Sequence, residues 1–167
     1  EEAGRFGGEV LGPLNVAGDR GCTFENGVVR APDGFADAWR QFVDGGWNGL
    51  AFSPDAGGQG LPCILSTAVS EIWSGANMAF GLCPMLTQAA AELLAHHGDE
   101  RLRGEYLPNL VSGEWTGTML LTEPQAGSDL GRVRTRARPD GDHWRLSGQK
   151  IFITFGEHDM APNIIHL

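Results

Sequence analysis

The apolar residues of this chain change their spacing once, near Gly113. Before that point they recur every three to four positions, as on the buried stripe of a helix. After it they alternate, as along a strand. A chain patterned this way builds helices first and antiparallel strands afterwards, which predicts an α+β fold rather than alternating β-α-β units. The division expected is a helical domain over residues 1–113 and a β domain over residues 114–167.

In the first part, Phe35, Ala38, Trp39 and Phe42 predict a helix with Asp33 as its N-cap and Gly45-Gly46 as its stop. Pro54 to Pro62 reads as a glycine-rich loop. Pro62 then opens a helix with Leu65, Ala68, Val69, Ile72 and Trp73 inward. Pro84 opens another, with Leu86, Ala89, Ala90, Leu93 and Leu94 inward and Gly98 past its end. Leu102, Tyr106 and Leu110 mark a fourth, bent or restarted at Pro108. Val10, Leu11, Leu14 and Val16 resemble the tail of a helix without its start.

In the second part, Thr116 to Thr122 is a candidate strand. Arg132, Arg134, Arg136 and Arg138 alternate with Val133, Thr135 and Ala137, which predicts a strand with the apolar alternates inward. Pro139 to Asp142 supplies a turn, and Trp144 to Ser147 a returning strand. Ile151 to Phe155 is a third apolar run, and Ile164 to Leu167 begins a fourth. A sheet that ends inside a strand leaves unpaired backbone groups. Both ends therefore read as cut, and the expectation is a segment of a larger protein with an incomplete β domain.

Charge narrows the function classes. The 167 residues carry 21 Asp and Glu against 12 Lys and Arg, a net charge of −9. A generic nucleic-acid binder tends the other way, because phosphates must be neutralised. The apolar stretches look far short of the roughly 20 residues that span a bilayer, and no secretory signal opens the chain. Cys22, Cys63 and Cys83 form no Cys-x-x-Cys pair, so buried thiols in a reducing, cytoplasmic setting are expected. Cys63 follows Pro62 at a helix start, but Ile64 and Leu65 beside it read as core.

Several familiar sites are missing. Gly57-Gly58-Gln59-Gly60 is not G-x-G-x-x-G, and Walker A and G-x-S-x-G spacings do not occur. His96 and His97 are adjacent, so on a helix they cannot grip one metal ion in the usual i, i+4 manner. Glu157-His158-Asp159 reads as a loop rather than a metal site, and the arginine row as a solvated or domain-facing strand. The informative stretch is Leu121 to Asp129, a strand end passing into a turn. It offers the Thr122 and Ser128 hydroxyls and backbone amides freed at Gly127. Further on, Phe152 and Thr154 add an aromatic ring and another hydroxyl. A flat heterocycle is held well by a ring on its face and hydroxyls at its polar edge. An ordinary turn and core strand would use the same residues, so their chemistry leaves both readings open.

The combined pattern Thr122-Glu123-Pro124-x-Ala126-Gly127-Ser128-Asp129, Asp140-Gly141 and Gly148-x-Lys150-x-Phe152-Ile153-Thr154 resembles the signature of the acyl-CoA dehydrogenase family. Gly57 to Pro62, Tyr106-Leu107-Pro108 and Ser112-Gly113-Glu114 fit it too. Ala76 to Phe80, Cys83 to Gln88 and Gly156 to Met160 resemble the branch that includes 3-methylmercaptopropionyl-CoA dehydrogenases. The resemblance covers nearly the whole chain. It implies an N-terminal helical domain, a middle β domain and, in full-length members, a C-terminal helical bundle.

It also implies FAD. Met119, Leu121, Thr122, Gly127, Ser128, Phe152, Ile153 and Thr154 would contact the cofactor, with Thr154 near the flavin N5 and Ser128 also at the edge of the substrate site. Met119 and Phe152 stand where Tyr and Trp are common in the family, and both keep an apolar contact. The implied reaction is α,β-dehydrogenation of an acyl-CoA thioester, either 3-methylmercaptopropionyl-CoA or a fatty acyl-CoA. Electrons would pass to an electron-transfer flavoprotein, and the full-length parent would be a homo-oligomer. The carboxylate base comes from the C-terminal bundle in family members, so no residue here is assigned that role and these residues alone should be inactive. A non-catalytic relative that binds DNA or a protein is the competing reading, and the acidic charge and intact motif weigh against it.

Overall fold

The computed structural model describes residues 1–167. Residues 2–20 are helical almost throughout. Helix α1 (Glu2–Arg5) runs through a π turn (Phe6–Leu11) and a 3-10 turn (Gly12–Leu14) into α2 (Asn15–Arg20). Of the apolar residues near Val10, Leu11 is buried and Val16 is exposed. A hairpin that the spacing did not predict follows, β1 (Thr23–Glu25) and β2 (Val28–Arg30). Its turn is Asn26-Gly27, with φ of 52° and 81°, the left-handed pair that matches the twist of the flanking strands.

Helix α3 (Phe35–Asp44) buries Phe35, Ala38, Trp39 and Phe42 as expected. Its N-cap is Gly34, at φ 85°, rather than Asp33, and no side chain caps it. Helix α4 (Cys63–Ala76) starts after Pro62, but only Val69 and Trp73 of its expected stripe are buried; Leu65, Ala68 and Ile72 face out.

Helix α5 (Met78–His97) begins ahead of Pro84, which lies inside it. The cap is the buried Asn77. Its Oδ1 accepts the Phe80 amide at 3.0 Å, and its Nδ2 donates to the Leu11 carbonyl at 3.1 Å. Starting at Asn77 puts Phe80, Cys83, Pro84, Thr87, Ala90, Ala91 and Leu94 inward, so Ala89 and Leu93 are exposed, contrary to expectation. At 20 residues and mean hydropathy 1.3, α5 also has the length and composition of a membrane span, which the apolar-run reading missed. Here that helix packs into the core beside α4 and α6. Helix α6 (Glu100–Ser112) is capped by Asp99, whose Oδ1 accepts the Leu102 amide at 2.8 Å. It continues through Pro108 and closes at Gly113.

Two apolar clusters organise these helices. One gathers Phe6, Leu11, Phe35, Trp39, Phe42, Val69, Trp73 and Phe80, and takes Met160 from the far end of the chain. The other joins α5 and α6 through Ala90, Ala91, Leu94, Leu107, Leu110 and Val111. Strand β3 (Thr116–Thr118) is wholly buried. It ends at Thr118, short of the expected Thr122, because it pairs in parallel with the three-residue β6 (Ile164–His166). That ladder departs from the antiparallel expectation. The antiparallel pairs are β1–β2 and the hairpin of β4 (Arg136–Asp140) and β5 (His143–Ser147). Arg132 lies in a 3-10 turn ahead of β4, and Ala137 is exposed rather than inward. Residues 151–155 form no strand, because Phe152 and Phe155 take left-handed φ of 58° and 50°. Cys22 and Cys63 are exposed, so only Cys83 fits the buried-thiol expectation.

Close packing at β3 requires a glycine. A Cβ on Gly117 would lie 2.6 Å from the Ala90 Cβ of α5. Overpacking of this kind costs about 1–3 kcal/mol. Gly117→Ala is therefore expected to lower stability by that amount, read as a drop in the urea midpoint at unchanged slope.

Candidate cofactor site

The chain leaves the buried β3 at Thr118 and emerges as a loop carrying Met119, Leu121 and Thr122. Glu123 and Ala126 then exchange amide-to-carbonyl hydrogen bonds of 3.0 Å, closing a tight turn. Gly127 and Ser128 follow on exposed backbone. Residues 150–154 return beside the first loop. The Ile151 amide donates to the Thr122 carbonyl at 3.0 Å, and the Thr118 hydroxyl donates to the Thr154 carbonyl at 2.7 Å. The fold thus brings together two of the expected groups, Met119 to Thr122 and Phe152 to Thr154. Gly127 and Ser128 join them only through the Glu123 turn.

The residue that organises this region is Glu123, which motif reading placed in the signature without a structural role. It is 3% exposed. Its Oε2 accepts the Arg134 amide at 2.8 Å, and its Oε1 accepts the Thr135 amide at 3.0 Å and the Lys150 ammonium at 2.9 Å. The Gln125 side-chain amide also donates to it. The Thr135 hydroxyl beside it, then the Arg134 amide, the Lys150 ammonium and the Thr135 amide hold this carboxyl well below the ordinary carboxylate range, against the effect of burial. The buried Thr135 hydroxyl completes no hydrogen bond, so the completed bonds from the Arg134 and Thr135 amides and the Lys150 ammonium account for the ionised form.

A second buried polar group lies behind β3. His158 is 4% exposed. Its Nδ1 accepts the Met160 amide at 3.2 Å, so the network assigns the proton to Nε2, which donates to the Thr116 hydroxyl at 3.0 Å. Both ring nitrogens are therefore engaged by protein. Burial pulls its pKa below the ordinary 6.5, against the charges of Glu157 and Asp159. A group with a depressed basic pKa contributes stability that is present above 6.5 and lost as acid forces the buried ring to charge. The urea midpoint should accordingly fall between about pH 7 and about pH 5. His158→Gln should flatten that fall.

The residues expected to contact a cofactor present two kinds of surface. Met119 and Leu121 are 46% and 42% exposed, and Phe152 is 85% exposed. The amides of Leu121, Thr122 and Thr154 donate to no acceptor in the protein. The hydroxyls of Thr122, Ser128 and Thr154 make no hydrogen bond within the chain either. Apolar side chains beside free amides and hydroxyls fit a flat heterocycle with a polar edge. A separate cleft of about 400 Å³, lined by Arg20, Arg30, Asp33 and Asp159 among others, contains none of these residues.

Residues 25–114 match the family model described as acyl-CoA dehydrogenase, N-terminal domain, and residues 118–164 match acyl-CoA dehydrogenase, middle domain. The chain belongs to the acyl-CoA dehydrogenase family. It is 51% identical to a 3-methylmercaptopropionyl-CoA dehydrogenase of Ruegeria pomeroyi over 169 aligned residues, covering 100% of this chain and 29% of that protein. It is 39% identical to a butyryl-CoA dehydrogenase of Syntrophomonas wolfei, covering 95% and 27% respectively. The crystal structure of an acyl-CoA dehydrogenase from Geobacillus kaustophilus superimposes with a TM-score of 0.77 at 25% identity, over 99% of this chain and 40% of that one. The chain thus spans under a third of the length of these two curated acyl-CoA dehydrogenases, and its helices and short strands share the family fold.

Proposed function

We propose that this chain forms the N-terminal helical part (residues 1–113) and the middle β part (residues 114–167) of an FAD-dependent acyl-CoA dehydrogenase. The observation that carries the reading is the joined face of Met119, Leu121, Thr122, Phe152, Ile153 and Thr154, apolar yet edged by unpartnered amides and hydroxyls. Gly127 and Ser128 extend it, with Ser128 at the substrate edge. These residues would hold FAD, which would supply a hydride acceptor for the α,β-dehydrogenation of an acyl-CoA thioester whose α-proton a base removes.

The chain's own residues hold and orient. Met119, Leu121 and Phe152 exclude water from the ring, while Thr122 and Thr154 supply donors to its polar edge. Glu123 does not act as the base: four donors occupy its carboxylate and favour its ionised form, and a weak base is poorly matched to the proton transfer. The base belongs to the portion of the relatives' length outside these residues. The proposal includes an electron-transfer flavoprotein as acceptor, a homo-oligomeric enzyme and a cytoplasmic location. The unpaired, exposed Cys22 and Cys63 suit a reducing compartment. The level of identity to the Ruegeria pomeroyi protein favours 3-methylmercaptopropionyl-CoA as substrate, with a fatty acyl-CoA as the second candidate. Anaerobic addition of each thioester to the flavin-loaded full-length parent, which carries the base, tests this. Bleaching of the visible flavin band is expected with at least one of them, and an unchanged spectrum with both would contradict the assignment.

A further inference from the structure

Lys150 sits where the two halves of the proposed flavin face meet. Its side chain is 18% exposed, and that of Glu123 only 2%. The ammonium makes two bonds, to Glu123 Oε1 and to the Leu121 carbonyl, each 2.9 Å. The next residue, Ile151, donates its amide to the Thr122 carbonyl. Two consecutive carbonyls of the first loop are thus pinned by two consecutive residues of the second.

The peptide bond turns this pinning into aim. No peptide here is cis, and in a trans peptide the C=O and N–H point to opposite sides. The Leu121 carbonyl and the Thr122 amide belong to one peptide plane. With the carbonyl held by Lys150, the Thr122 N–H must point away from the ion pair, and it finds no acceptor in the protein. The following plane differs, because the Glu123 amide is already spent on the Ala126 carbonyl.

We infer that Lys150 and Glu123 are positioning residues that lock the 119–123 loop to the 150–154 segment and aim the Thr122 amide at an acceptor on the bound heterocycle. Glu123 holds the ammonium in place and is itself fixed by the Arg134 and Thr135 amides, so the lock reaches to the entry of the β4–β5 hairpin. The inference rests on the flavin reading above and adds to it the residues that orient the face without touching the cofactor.

The test compares, in the full-length parent, wild type, Lys150→Met and the double variant Glu123→Gln/Lys150→Met. FAD affinity, the visible spectrum of bound flavin and exchange of the Ile151 amide in flavin-free protein are measured for each. Lys150→Met leaves a buried carboxylate without its cation and is expected to lose stability. The double variant removes both charges and should recover much of that stability. It still lacks the donor to the Leu121 carbonyl. Both variants are therefore expected to bind FAD about 10-fold more weakly than wild type, with a displaced visible band and faster Ile151 exchange. If the double variant regains wild-type affinity and spectrum along with stability, the pair serves folding alone and the inference is overturned. A wild type that takes up no FAD would instead remove the flavin reading on which it depends.

Discussion

Phe42→Ala is expected to remove about 3–5 kcal/mol of stability, the usual cost of emptying an aromatic site in a packed core. Phe42 is 0% exposed. Its ring centroid lies 4.9 Å from Trp73, 5.3 Å from Trp39, 5.9 Å from Phe80 and 6.2 Å from Phe6. Those partners come from α3, α4, α5 and the N-terminal helical segment, so no single element can shift to fill the void. Domains are commonly stable by about 5–15 kcal/mol in total, so the variant should approach the unfolding threshold. Phe24→Ala, on the exposed β1 strand, serves as the control and should change stability by less than about 0.5 kcal/mol. Urea denaturation of the two variants makes the comparison.

Phe152→Asp should separate folding from cofactor binding. Phe152 is 85% exposed and holds φ at 58°, a conformation that Asp adopts more readily than an aromatic residue. The flavin-free protein should therefore keep its stability or gain a little. Against a bound ring, the same carboxylate would lose the apolar contact and be stripped of water without a partner. Such burial costs several kcal/mol, and FAD affinity should fall by at least about 100-fold. Thermal unfolding without FAD and equilibrium titration with it report the two effects separately.

The features legible in the sequence are those governed by local spacing. The 3.6-residue stripe of α3 buries the expected residues, and the turn chemistry around Gly141 marks a hairpin, though its first strand starts at Arg136 and leaves Ala137 exposed. Helix α5 departs from the spacing because Pro84 reads as a start but lies inside the helix. Asn77, a buried cap bonded to both Phe80 and Leu11, moves the start upstream and turns the helix about its axis. The β3–β6 ladder was hidden for a different reason. Its three-residue partners are distant in sequence, and no local signal states that Thr116 will face Ile164. The β1–β2 hairpin had a readable cue in Asn26-Gly27, but its strands are too short for alternation to show.

The candidate site divides in the same way. The motif points to the residues proposed for its surface, and the structure brings the 119–122 and 152–154 groups side by side. The bonds that hold them there were not legible, because the donors to Glu123 come from Arg134, Thr135 and Lys150, brought together only by the fold.

The central claim, that the face built from Met119, Leu121, Thr122, Phe152, Ile153 and Thr154 holds FAD, is tested most directly by titrating the flavin-free full-length parent with FAD and following the visible band. The account predicts saturable uptake with one flavin per chain, weakened by Phe152→Asp but not by a substitution at the exposed Trp144 of the β4–β5 hairpin. Absence of uptake by the wild-type protein, or equal uptake by wild type and Phe152→Asp, would contradict it.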